Sequence, residues 1–111
     1  MTTKKAVERF FNGPERYNCA QAVIKIMEDR HPAKAGLIPE FKAFGGGRAP
    51  EGVCGALFGA LELVHESEHM GLKNKFTEVA GSEKCRAIRN LKKLSCSCCV
   101  EVAVNLVKSA E

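Results

Sequence analysis

The chain is predicted to fold as an all-α protein, a single small domain of five or six short helices, and three observations predict it. Apolar residues recur at helical offsets, three and four positions apart, through most of the sequence. Proline and most of the glycines fall between these segments, where they end helices or turn the chain. No stretch shows the sustained apolar–polar alternation of a half-buried strand.

In order, residues 3–12 carry Ala6, Val7, Phe10 and Phe11 on one helical face, and Gly13-Pro14 stops that helix. Asn18 is the expected N-cap of a second helix over 19–31, with Val23, Ile24 and Met27 inward and Pro32 ending it. Gly36 and Pro39 mark a loop, residues 41–44 a single turn, and Gly45-Gly46-Gly47 a run whose entropic cost calls for a close approach or a positive φ. A third helix is expected to begin near Pro50 to Gly52 and to reach Glu66 or Met70, with Gly71 capping it. Its first half is dense in small residues, and Gly55 and Gly59 lower its helix propensity, which points to close packing against another backbone or a cofactor. Further helices are expected over 72–79, ahead of Gly81, over 83–94, and over 96–109 with Val100, Ala103, Val104 and Val107 inward.

With 111 residues and 45% hydrophobic content, the chain is long enough for one domain with a real core, and no second domain, linker or repeat is visible. There is no Trp and one Tyr, and the net charge of +4 is scattered among acidic residues. That pattern predicts no nucleic-acid partner. The opening residues show no secretory signal, and no run of about 20 apolar residues exists to span a membrane, so a cytoplasmic protein without a membrane partner is expected. In that reducing setting six cysteines point to reactive or metal-binding thiols; in a secreted chain they would instead read as a disulfide framework.

The cysteines are Cys19, Cys54, Cys85, Cys96, Cys98 and Cys99. Cys19 and Cys54 are expected in the first turns of helices, Cys85 at the entry of the fifth and Cys96 at the opening of the last. A helix N-terminus favours the thiolate, which is both nucleophile and metal ligand. Arg48 and Arg86 stand close in sequence to Cys54 and Cys85 and add positive charge. Spacing alone is equally compatible with Cys19, Cys54 and Cys85 as buried small hydrophobes. Cys96 and Cys99 form the one C-x-x-C pair, with no second pair to complete a zinc ribbon and no βαβ setting for a thioredoxin motif.

Several segments together resemble the C-GCAxxG-C-C family of redox-active proteins. They are Asn18-Cys19-Ala20-Gln21-Ala22-Val23, Phe44-Gly45-Gly46-Gly47-Arg48, Cys54-Gly55-Ala56-Leu57-Phe58-Gly59, Phe76 with Gly81-Ser82-Glu83-Lys84-Cys85-Arg86, and Cys96 followed by Val100 and Ala103. The likeness runs in order from about residue 6 to residue 107, with the family's G-C-A-x-x-G here written C-G-A-L-F-G. It implies a redox role with an iron–sulfur cluster as cofactor, and it places the family's cysteines on Cys19, Cys54, Cys85 and Cys96. Cys98 and Cys99 depart from its pattern.

On that basis the expected function is a small cysteine-rich redox protein that exchanges electrons with a partner oxidoreductase or electron carrier. Four thiolates hold a cluster whose sulfides need room and N–H donors, which Gly45, Gly46, Gly47 and Gly55 can supply, with Arg48 beside them. A homodimer is the default if the chain associates. The alternatives are a metal-free thiol–disulfide oxidoreductase or thiol sensor, for which the crowded Cys96, Cys98 and Cys99 speak, and a structural or zinc-binding interaction module.

His65-Glu66-Ser67-Glu68-His69 matches the H-E-x-x-H zinc-protease pattern, which on one helix puts both histidines on one face. No third ligand is evident and Glu68 charges the face that such helices bury, so a solvated helix end is the expected reading. Gly45-Gly46-Gly47-Arg48 lacks the remainder of a phosphate-loop pattern, and Lys92-Lys93 reads as solvated surface. Asn18 and Gln21, flanking Cys19, are expected as caps or surface positions, or as donors to a cluster sulfur.

Overall fold

The computed structural model describes residues 3–11, 13–44, 48–92 and 94–110. Gly45, Gly46, Gly47, Lys93 and the expected first-helix end at Asn12 lie outside the described residues. Among the described residues there are six α-helices: α1 (Thr3–Phe10), α2 (Cys19–Ile26), α3 (Gly55–Leu63), α4 (His69–Ala80), α5 (Cys85–Leu91) and α6 (Cys96–Ala110). Short 3₁₀ turns at Pro32–Leu37, Glu40–Phe44, Pro50–Gly52 and Glu66–Glu68 connect them, and no strand longer than an isolated bridge occurs among these residues. The fold is all-α.

The core is built around α6. Val100, Ala103, Val104 and Val107 are fully buried, on the inward stripe that the sequence predicts, and α6 packs against α1, α2, α3 and α4. Val23 and Ile24 on α2, Met27 just after it, Leu57 on α3 and Phe76 on α4 close the same cluster. The α2–α3 pair is the most extensive helix contact, and small residues allow it. A Cβ on Gly59 would stand 2.8 Å from the carbonyl oxygen of Ala20, so that glycine is required by the close approach of two backbones.

Asn18 starts α2 as expected, and it does so with a complete capping box. Its side chain accepts from the Gln21 N–H at 2.9 Å, while Gln21 Oε1 accepts from the Asn18 N–H at 3.0 Å. The amide nitrogens of the same two residues donate to the carbonyls of Phe41, Lys42 and Ile38, at 3.2, 3.0 and 2.8 Å. Both side chains thus cap α2 and tie the 38–42 segment to it, as the cap reading expects.

Helix lengths differ from expectation where local caps intervene. α2 ends at Ile26, and a turn carries the chain to Pro32. α3 begins only at Gly55, because Glu51 and Gly52 both take positive φ (63° and 72°) and turn the chain before it. It ends at Leu63, where Val64 becomes extended and His65 caps the next turn, its Nδ1 accepting from the Ser67 N–H at 3.1 Å. The single helix expected across 65–70 is thus two elements. His65 lies before the break and His69 begins α4, so no shared helical face presents the H-E-x-x-H histidines, and 65–68 are solvent-exposed. Gly71 does not cap anything: it lies inside α4, with open space around it. Gly81 caps α4 in the left-handed conformation (φ 91°), as its place in the sequence predicts. Among the described residues, no helix is long and apolar enough to cross a membrane.

Candidate functional site

Four chain segments bring cysteines to one place. The first turn of α2 supplies Cys19. The N-cap of α3 supplies Cys54, one position ahead of the first turn expected for it. The first residues of α5 and α6 are Cys85 and Cys96, and one turn into α6 stands Cys99.

Three local devices position them. The Cys54 N–H donates to the Glu83 carbonyl at 2.8 Å, beside an antiparallel bridge between Val53 and Lys84, so the approaches to α3 and α5 run side by side and set Cys54 near Cys85. Gly55 brings the starts of α2 and α3 together: a Cβ there would meet the sulfur of Cys19 at 2.5 Å and the Phe44 carbonyl oxygen at 2.9 Å. The sequence assigns Gly55 to close packing against another backbone or a cofactor, and its near neighbours here are the Cys19 side chain and the Phe44 backbone. Ser95 caps α6, accepting from the Cys98 N–H at 3.2 Å through its side chain and from the Cys99 N–H at 3.0 Å through its carbonyl.

The result is a cavity of about 30 Å³ walled by Cys19, Cys54, Cys85, Cys96 and Cys99, with Ile88 and Leu94 as apolar lining and Arg89 as the one cation among the described residues. That volume is room for one or two water-sized groups. All six cysteines are free thiols; Cys19, Cys54, Cys85 and Cys99 are buried, at 9%, 5%, 8% and 3% exposure, while Cys96 belongs to an exposed position at the rim. Cys98 is exposed and is no part of the wall. Neither is Arg48, which is exposed. Gly45, Gly46 and Gly47 lie outside the described residues, although Phe44, just before them, has its carbonyl against Gly55.

Two wall residues are absent from the ligand set expected from sequence. Cys99 lies four and eight positions before Ala103 and Val107, on the buried stripe of α6, and that spacing is the signal that finds it. Arg89 lies one turn after Cys85 on α5, so an i, i+4 reading from the cysteine finds it, whereas Arg86, next in sequence, turns away from the cavity.

The thiols differ electrostatically. The Cys99 thiol acts as donor toward the Cys54 sulfur and holds Cys54 below the ordinary thiol range, at about 7, against the opposing effect of burial. The amides of Leu57 and Ala56 and the charge of Arg89 act in the same direction, though neither amide reaches the geometry of a capping hydrogen bond. Cys99 is correspondingly pushed up, by its bond to Cys54 first and then by burial. Burial also raises Cys85, partly offset by Arg89. Arg89 itself is held in its charged form by Cys85 and by its interaction with Cys96. Within this pair the Cys99 thiol favours the thiolate form of Cys54.

Among the described residues the donor set around the cavity is all sulfur, with no carboxylate or imidazole in the wall. Such a set suits soft centres: zinc, copper(I) or an iron–sulfur cluster. Among the described residues no group of three or more cysteine, histidine, aspartate or glutamate side chains is drawn together closely enough to hold a metal ion, so loading one requires the sulfurs to rearrange. Comparison with family models, curated proteins and solved structures finds no match for this chain.

Proposed function

We propose that this chain is a small redox protein whose converging thiolates hold an iron–sulfur cluster and which exchanges electrons with a partner oxidoreductase or electron carrier. The observation that carries the reading is the wall of the cavity. Five of six cysteines, drawn from four separate helix starts, face one small space whose polar lining among the described residues is otherwise Arg89. Buried cysteines scattered as core packing have no reason to converge in this way.

The resemblance to the C-GCAxxG-C-C family supports the same reading. Cys19, Cys54 and Cys85 are three of the ligands, and α6 supplies the fourth through Cys96, as the resemblance implies, or through Cys99. When bound, the cluster supplies reversible one-electron storage. The chain's own residues do the rest: Cys54 is available as thiolate near neutral pH, Arg89 offsets negative charge at the wall, and Ile88 and Leu94 keep the space apolar. Burial and nearby charge are two of the levers by which a protein sets such a centre's potential.

A second reading rests on the contact between Cys54 and Cys99. A thiolate beside a protonated thiol is the arrangement of a dithiol redox pair, in which loss of two electrons and the one remaining thiol proton to an oxidising disulfide forms one disulfide. Serine variants separate the two. If a cluster is the function, Cys19→Ser, Cys54→Ser and Cys85→Ser each lower iron retained after anaerobic reconstitution to well under half, and Cys98→Ser retains it. If the pair alone is the function, only Cys54→Ser and Cys99→Ser abolish oxidation by a disulfide, and Cys19→Ser and Cys85→Ser leave it intact.

A further inference from the structure

Beside the cysteine cavity, and sharing Cys85 and Arg89 with it, lies an open cleft of about 480 Å³. The size lies within the roughly 300–1,000 Å³ of small-molecule sites. Its walls carry three cations, Lys84, Arg86 and Arg89, against one carboxylate, Glu51. None of the three is in an ion pair among the described residues, unlike Arg9, Lys25 and Lys34, which pair with Glu15, Glu28 and Glu62. Lys84 is fixed by donating from Nζ to the Glu51 backbone carbonyl at 2.6 Å, which leaves its charge without a carboxylate. The other surface clefts differ: that over Glu78, Glu83 and Lys84 is acidic in balance, and that over Lys25, Glu28, Asp29 and Arg30 is mixed.

We propose that the Lys84–Arg86–Arg89 cleft is a binding site for a small carboxylate-bearing molecule, which it delivers to the sulfur of Cys85. The cations attract the carboxylates, and Asn90 adds an amide to the same wall. Cys85 is the one thiol among the cleft's described residues, and it is also a wall of the cysteine cavity, so a molecule seated here lies against that sulfur. The site goes beyond the cluster reading and does not depend on whether the cavity holds iron.

Charge-selective alkylation of the full chain, reduced and freed of metal with a chelator, tests it. Iodoacetate and iodoacetamide react alike: the thiolate sulfur displaces iodide, an S–C bond forms and a C–I bond breaks. Both consume the thiolate, so the ratio of their rates at one cysteine cancels its ionisation and reports attraction of the carboxylate. Rates are read residue by residue by mass spectrometry. The ratio at Cys85 is expected to fall about threefold or more in Lys84→Gln/Arg86→Gln, and in about 1 M salt, where screening is effective within about 3 Å. The ratio at exposed Cys98 stays the same in the variant. Arg86→Gln alone, at an exposed position with no partner among the described residues, gives a smaller fall and guards against any loss of fold caused by replacing Lys84. A ratio at Cys85 that neither the variants nor salt changes overturns the proposal, as does a Cys85 that neither reagent labels. Because the readout is a ratio at a metal-free sulfur, either result is independent of iron content.

Discussion

Replacing Gly55 by alanine perturbs the one place where backbone packing and the candidate site meet. The added Cβ would stand 2.5 Å from Cys19 Sγ and 2.9 Å from the Phe44 carbonyl oxygen, both inside contact distance. Alanine gains about 1 kcal/mol of helix propensity over glycine. Overpacking a buried site costs about 1–3 kcal/mol, and the upper part of that range applies here because one of the two obstacles is backbone. The expected balance is a loss of about 1–2 kcal/mol, or several degrees in melting temperature for a domain of this size. Gly71→Ala is the matched control. It makes the same change inside α4 with nothing within 4 Å, so it collects the propensity gain alone and raises stability by up to about 1 kcal/mol. Urea unfolding of both variants under reducing conditions reads the two signs, and alkylation of Cys19 reports whether its sulfur has been displaced. A Gly55→Ala protein as stable as Gly71→Ala, with Cys19 labelled at the unaltered rate, refutes the claim that Gly55 is required by the approach of Cys19.

Further outcomes follow from the same geometry. The reduced, metal-free chain has Cys54 depressed to about 7 and Cys99 raised, relative to an ordinary value near 9. Between about pH 7 and 9 the unfolded chain holds the Cys54 proton that the folded chain has lost, so this group's contribution to stability grows across that window. Above about 9 the folded chain retains the Cys99 proton that the unfolded chain loses, and stability declines; urea midpoints across pH 6–10 read both arms. Cys99→Ala removes the donor, so Cys54 labelling by iodoacetamide at pH 7.5 slows several-fold, and an unchanged rate contradicts the pairing. Gln21→Ala leaves the buried Ile38 carbonyl without its donor and costs about 1–3 kcal/mol in urea unfolding, with iron retention per folded chain unaltered. Glu66→Gln changes neither stability beyond about 0.5 kcal/mol nor any metal content, because His65 and His69 belong to different helical elements.

Much of the fold was legible because it is carried by local chemistry. The stripe of Val100, Ala103, Val104 and Val107 needs only helical periodicity, Asn18 with Gln21 is a complete cap in four consecutive residues, and Gly81 ends a helix by its own conformational freedom. Helix limits were less legible where two neighbours compete. Nothing in the apolar pattern distinguishes one helix over 53–70 from two, and the choice is made by a positive-φ turn at Glu51-Gly52 and by the His65 cap, both of which act through the backbone. At the site, Cys19, Cys54, Cys85 and Cys96 were visible as helix-start cysteines, and the structure brings them together. Arg48 was placed by nearness in sequence, and it lies outside the cavity wall, whereas Arg89, three residues beyond Arg86, lies in it. Nearness in sequence is a poor guide on a helix, where positions one apart point about 100° apart and positions four apart share a face.

The central claim is that the converging cysteines form a cluster site. An ultraviolet–visible spectrum of the anaerobically prepared or reconstituted chain, with iron, zinc and acid-labile sulfide counted on the same sample, tests it most directly. The account predicts broad charge-transfer bands that dithionite bleaches, with iron and sulfide in nearly equal amounts and little zinc. A colourless protein without iron or sulfide after reconstitution contradicts it and leaves the Cys54–Cys99 pair as the redox centre.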